Sequence, residues 1–202
     1  MNIIDRLLAS LGLSNKQAQA ENESKFKPVE KLPLDEEFAL NFKENGGKFI
    51  YCENEGELKD SYISILNENN WYNSKLSSKN QSLIDQFNHY KTNQITEFGN
   101  DEDYLLTDCE FLISNTGAIL ISSKQIGEKK PEELPYNIIV FAKTSQLIET
   151  ISIGLQKINI EYKSNIPTNI RSLKTFKEKD DDDFMSYGSV SKNVYLLLLE
   201  DL

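Results

Sequence analysis

The sequence predicts an α/β fold, with a mostly parallel central sheet flanked by helices and one further helix tethered by an N-terminal linker. Three observations predict it. Strand-like and helix-like patterns alternate along the chain, as they do in α/β proteins. Several strand-like runs are apolar without interruption, as strands covered on both faces are. Leu, Ile, Val and Phe supply 58 of the 202 residues, well above the ~20% below which chains tend to stay disordered, so a real core can form.

Ile3, Ile4, Leu7, Leu8 and Leu11 fall on one stripe of a short helix that Gly12 can close. Residues 14–33 are polar, aperiodic and carry two prolines, which reads as a linker. The chain therefore divides into a helix and linker at 1–33 and an α/β domain at 34–202, and the first helix is a candidate for docking or self-association. In the domain, Asp35 is the expected N-cap of a helix bearing Phe38, Leu40 and Phe42, ended by Asn45-Gly46-Gly47. Lys48 to Cys52 reads as a strand. Asn54 with Glu57 then forms a capping pair before Leu58, Tyr62, Ile65 and Leu66 on one helical face. A short strand is expected near Trp71, and Ser78 with Gln81 opens a helix carrying Leu83, Ile84 and Phe87.

The second half holds the strongest strand patterns: Tyr104–Thr107, Ala118–Ser122 and Asn137–Ala142. Thr144 is the expected N-cap of an amphipathic helix through Leu147, Ile148, Ile151, Leu155 and Ile158. Residues 174–192 form a polar insert, and Val194 to Leu199 is a last buried strand.

Composition excludes some partners. The net charge is −10 and the pI about 4.7, whereas nucleic acids and anionic membrane surfaces are recognised by clustered Lys and Arg. The start of the chain lacks the cationic and apolar regions of a signal peptide, and the most apolar run, Tyr195 to Leu199, is far shorter than the ~20 residues that cross a bilayer. A cytoplasmic protein is expected. Cys52 and Cys109, 57 residues apart, make no metal-ligand spacing with the single His89, and they read as reduced thiols. No metal site and no cofactor are expected. His89 reads as a helix-end histidine without a nucleophile partner. Asp180 to Asp183 reads as a solvated loop, because calcium loops alternate ligands with spacers around a glycine. No P-loop or dinucleotide fingerprint is present.

The segment from Thr107 to Ala118 is the richest in chemistry. It joins two apolar strands through an expected short turn of helix and a Thr-Gly turn. In open α/β sheets ligands collect beyond the carboxyl ends of strands, and a turn of this kind offers a hydroxyl and free amides to an anion. Asn115, Thr116 and Gly117, with Ser122, Ser123 and the strand-ending Lys143, are the candidate ligand-binding residues. Asp108 and Glu110 are the candidate acid–base groups, provided burial shifts their pKa values.

The chain resembles the LUD-domain family, to which lactate utilisation protein C belongs. The resemblance covers roughly residues 35–200. It is carried by Asn45-Gly46-Gly47 with Lys48-Phe49-Ile50-Tyr51, by Leu106 to Leu120 around Asn115-Thr116-Gly117, and by Leu134-Pro135 with Asn137 to Lys143. The chain departs from the family pattern where Asn115 replaces an acid and where Ile166 to Arg171 replaces a Gly-Pro-Ser-Arg stretch. The resemblance implies a fold like that of ribose-phosphate isomerases, CoA-transferases and formyltetrahydrofolate cyclo-ligases. It implies an accessory role in lactate utilisation, the oxidation of L-lactate to pyruvate, beside iron–sulfur partner proteins, or the binding of a small anionic metabolite. The alternatives are a non-catalytic interaction module that keeps the fold, and a CoA-transferase-like or isomerase-like enzyme acting on a small anionic metabolite.

Overall fold

A computed structural model describes residues 32–88, 96–97, 103–176 and 191–202. The predicted first helix, most of its linker, His89 and the Asp180–Asp183 run lie outside these residues.

Among the described residues the main sheet has six strands in the order β1 (Lys48–Cys52), β10 (Asn193–Leu199), β7 (Asn137–Lys143), β4 (Tyr104–Thr107), β2 (Leu76–Ser78) and β3 (Thr96–Glu97), and every neighbouring pair is parallel. A second sheet of four short strands runs β8 (Leu147–Ile148), β5 (Phe111–Ile113), β6 (Ala118–Ile121) and β9 (Arg171–Leu173), with β5 and β6 forming an antiparallel hairpin. The predicted parallel α/β sheet is thus present. The Ala118 run, however, belongs to the second sheet.

The period-two alternation of the strands sorts the core into layers. On one face of the main sheet Tyr104, Leu106, Ile139, Phe141, Tyr195 and Leu197 pack against α2 (Glu55–Glu68) and α3 (Gln81–Asn88), through Leu58, Tyr62, Leu83 and Phe87. On the other face Leu105, Ile138, Val140, Leu196 and Leu198 meet Phe38 and Phe42 of α1 (Leu34–Glu44) and the inner face of the second sheet, Leu112, Ile119 and Ile121. The outer face of the second sheet, Phe111, Ile113 and Leu120, is covered by Ile158 of α5 (Ile151–Tyr162). A four-residue helix, α4 (Ser123–Ile126), follows β6.

Four local expectations change. The N-cap of α1 is Pro33, and Asp35 sits inside the first turn. The residues around Trp71 form a 3-10 turn, with the strand delayed to Leu76. Asn80 caps α3 in place of Ser78, accepting from the Ser82 amide at 2.9 Å, because Ser78 is still in strand β2. Thr144 opens only a 3-10 turn, since Leu147 and Ile148 pair with Leu112 and Ile113, and Thr150 caps α5 by accepting from the Ile153 amide. The start of the polar insert is less polar in its contacts than its composition: Phe176 is buried and its ring lies 5.0 Å from that of Phe42.

Candidate functional site

The parallel strands place their carboxyl ends along one edge, and β2 and β4 open there onto a cleft of about 560 Å³. The chain leaves β4 as Asp108-Cys109-Glu110, and the Glu110 amide donates to Leu120 O at 2.8 Å to start the hairpin. Asp108 and Glu110 therefore both line the cleft.

The Glu110 carboxyl is buried and accepts two hydroxyls, Ser122 Oγ at 2.6 Å and Tyr162 OH at 2.9 Å. Ser122 follows β6 and caps α4, in a capping box whose other half is Gln125 Oε1 accepting from the Ser122 amide at 2.9 Å. One carboxyl thereby ties together the hairpin, α4 and the end of α5. Lys124 of α4 lies over the Tyr162 ring, its Nζ 3.4 Å from the centroid, a cation–π contact. Lys79, just after β2, donates to Ser123 O at 2.7 Å. The two cleft ammonium groups thus contact neutral partners, a carbonyl and a ring, and Glu161 lines the cleft beside them. Gln146 donates to Cys109 O at 2.6 Å and closes the floor.

Asp108 accepts from Asn80 Nδ2 at 3.0 Å, and Asn80 in turn caps α3. Burial pushes the Asp108 carboxyl above the usual carboxylate range and the Glu110 charge adds to this, while the Asn80 and Gln125 hydrogen bonds oppose it. Burial, more than any other cause, also raises the Tyr162 phenol, with Glu110 adding and Lys124 opposing. Burial raises the Cys109 thiol well above its normal value, so it is an unreactive wall. Cys52 is also buried, forms no disulfide among the described residues and donates to Ser61 Oγ at 3.7 Å.

A raised folded-state pKa favours the protonated form, so the folded protein binds more protons than the unfolded chain between the two Asp108 pKa values. Stability therefore falls as pH rises from about 4 through the raised value. Replacing Asp108 by Asn is expected to flatten that part of the pH–stability curve, read by urea unfolding between pH 4 and 8. An unchanged slope would show that Asp108 titrates normally.

The sequence-derived candidates divide between two places. Asp108, Glu110 and Ser122 come together at the cleft, and Ser123 supplies the carbonyl that holds Lys79. Asn115, Thr116 and Gly117 sit in the hairpin turn, which packs on α1. Asn41 Nδ2 donates to Ser114 O at 2.8 Å and Asn45 Nδ2 to Thr116 O at 2.7 Å. Three amides leading into and through the turn are occupied within the chain, Ser114 N by Ile148 O, Asn115 N by Glu149 O and Thr116 N by Ile113 O. The expected helical turn before them is strand β5. Lys143 is exposed at the end of β7 and does not line the cleft. Lys79, Asn80, Lys124, Gln146 and Tyr162 were not singled out by sequence. The Ser122-x-x-Gln125 capping signature after an apolar strand was the available signal for Lys124.

Among the described residues no group of three or more His, Cys, Asp or Glu is placed to hold a metal ion, and no helix is long and apolar enough to cross a membrane.

No family model matches the chain, and no curated protein matches it. Among solved structures, the crystal structure of a DUF162 family protein from Deinococcus radiodurans superposes with a TM-score of 0.57 at 13% identity, over 83% of this chain and 96% of that one. The two chains share a fold. The likeness spans nearly the whole length of that DUF162 protein.

Proposed function

We propose that this chain is a LUD-type protein, DUF162 being the LUD-domain family, that binds a small anionic metabolite in the cleft beyond β2 and β4. The observation that supports this reading is the pair of lysines, Lys79 and Lys124, held by neutral groups beside a half-buried Asp108. The ammonium groups and the capped start of α3 attract the anionic part of the ligand. A protonated Asp108 donates a hydrogen bond to a ligand oxygen, and in its ionised form accepts one. The same group can give or take a proton during a reaction.

The test is a thermal-shift series with inorganic phosphate, ribose 5-phosphate, L-lactate and coenzyme A. A ligand at 100 times its Kd adds about 2.7 kcal/mol, a rise of roughly 5–10 °C for a chain of this size. Lys79→Ala and Lys124→Ala are each expected to weaken a hit about tenfold, while Lys143→Ala leaves it unchanged. A hit insensitive to both cleft lysines, or no hit at all, sinks the reading.

The finer reading is an accessory component of lactate utilisation. It is supported by the sequence resemblance and by the DUF162 fold of the solved neighbour. Iron–sulfur partner proteins would then carry the electrons. Affinity purification of the full chain from its native host tests it, and recovery without any iron–sulfur protein counts against it.

A further inference from the structure

A second cavity, of about 390 Å³, lies where the described chain begins, lined by Leu34, Leu147 and Leu202 with Asp35, Thr144, Ser145 and Glu200 around them. Its apolar walls are unusually open. Leu34 is 36% exposed, Leu202 89%, and the adjoining Leu32 39%. Leu34 and Leu202, both exposed and both lining the cavity, form a patch that water disfavours. By contrast the cleft beyond β2 and β4 is polar and stands apart, with no lining residue in common.

Sequence supplies an occupant of matching chemistry. Ile3, Ile4, Leu7, Leu8 and Leu11 form one apolar stripe at helical spacing, long enough for about two and a half turns. Arg6 is the only basic residue among the first fifteen, and the groove carries the acidic Asp35 and Glu200. Twenty residues, 12–31, join this stripe to Leu32, two residues before the groove's Leu34. A chain of that length reaches up to ~65 Å, so the tether permits return to a groove beside its own root. Tethering also sets an effective concentration in the millimolar range, which favours the same chain over any free partner.

We propose that the groove formed by Leu34, Leu147 and Leu202 is the docking site of residues 3–11 of the same chain, which cover it with their apolar stripe. The segment thereby buries the start of α1, strand β8 and the carboxyl-terminal tail together.

Hydrogen exchange on the full chain tests this, comparing the wild type with Leu7→Asp/Leu8→Asp at two protein concentrations. Neither position belongs to the described core, so the variant keeps the fold. The expected result is at least fivefold faster exchange at the amides of 147–148 and 199–202 in the variant, with the main sheet unchanged and no dependence on concentration. In the reciprocal variant, Leu34→Asp, residues 3–11 are expected to lose protection. Unchanged exchange at the groove overturns the proposal. So does protection that appears only as the mass in solution doubles, because the occupant is then a second copy.

Discussion

Gly117→Ala is expected to lower the unfolding free energy by roughly 3 kcal/mol or more. Two costs add. Gly117 has φ +62°, a left-handed conformation that costs an alanine about 1 kcal/mol. The new Cβ would also stand 2.3 Å from Asn41 C and 2.3 Å from Phe42 N. These are backbone atoms of α1, and a helix cannot swing aside as a side-chain tip can, so the second cost is that of overpacking, about 1–3 kcal/mol. The hairpin turn must then leave α1, and the Asn41 and Asn45 hydrogen bonds to Ser114 O and Thr116 O weaken with it. Urea unfolding would show a lower midpoint with an unchanged slope. Asn115→Ala, two residues away on an exposed side chain, is expected to shift stability by no more than ~0.5 kcal/mol. The pair of variants separates the two roles this motif can have. If the turn only docks on α1, Gly117→Ala below its midpoint still binds cleft ligands with unchanged affinity, and Asn115→Ala does so too. If either variant abolishes binding while folded, the ligand contacts the turn and the cleft is the wrong site.

The contrast between that turn and the cleft shows what the sequence carries and what it does not. Strands β7 and β10 are legible because each holds a continuous apolar run, Ile138 to Ala142 and Val194 to Leu199, buried on both faces. Helix α2 is legible from Asn54 and from the spacing of Leu58, Tyr62, Ile65 and Leu66; of the stripe expected for α5, only Ile158 is a buried helix residue, since Leu147 and Ile148 are in β8 and Ile151 and Leu155 are exposed. Strands β8 and β9 have two and three residues. No period can be read from so few, and they exist only because Leu112 and Ile113 or Ile119 to Ile121 pair with them from distant sequence. That pairing is also why Thr144 yields its predicted helix start to Thr150. The site divides in the same way. Asp108 and Glu110 are legible because they follow an apolar strand. Tyr162 reaches Glu110 across 52 residues, and Lys79 reaches Ser123 across 44; no local signal encodes contacts of that range. Gly117 drew a ligand-binding reading because a tight turn that must approach a helix backbone and one that must approach an anion make the same demand for glycine.

Glu110→Ala is expected to cost about 3–4 kcal/mol and to remove ligand binding at the cleft. The carboxyl accepts from Ser122 Oγ and Tyr162 OH in a buried setting. Hydrogen bonds to a carboxyl in such a setting contribute about 1.5–3 kcal/mol each, and truncation takes the acceptor from Tyr162 OH and leaves Ser122 Oγ with Gln125 Oε1 at 3.0 Å alone. Binding is lost for a geometric reason. Ser122 fixes the start of α4, and Tyr162 is the ring under Lys124, so removing Glu110 releases the ammonium from its place at the cleft wall. Tyr162→Phe removes one hydroxyl and keeps the ring, with an expected cost of about 1–2 kcal/mol and binding weakened only a few-fold. The double variant, Glu110→Ala with Tyr162→Phe, then tells contact from coincidence. Groups in direct contact are expected to show a coupling of about 1–2 kcal/mol, because the second loss finds its partner already gone. Additive costs would mean that Glu110 supports the fold through Ser122 alone. A Glu110→Ala protein that unfolds more easily yet binds the same ligand with unchanged affinity would mean that Lys124 needs no such anchor, and the positioning role of the carboxyl would have to be abandoned.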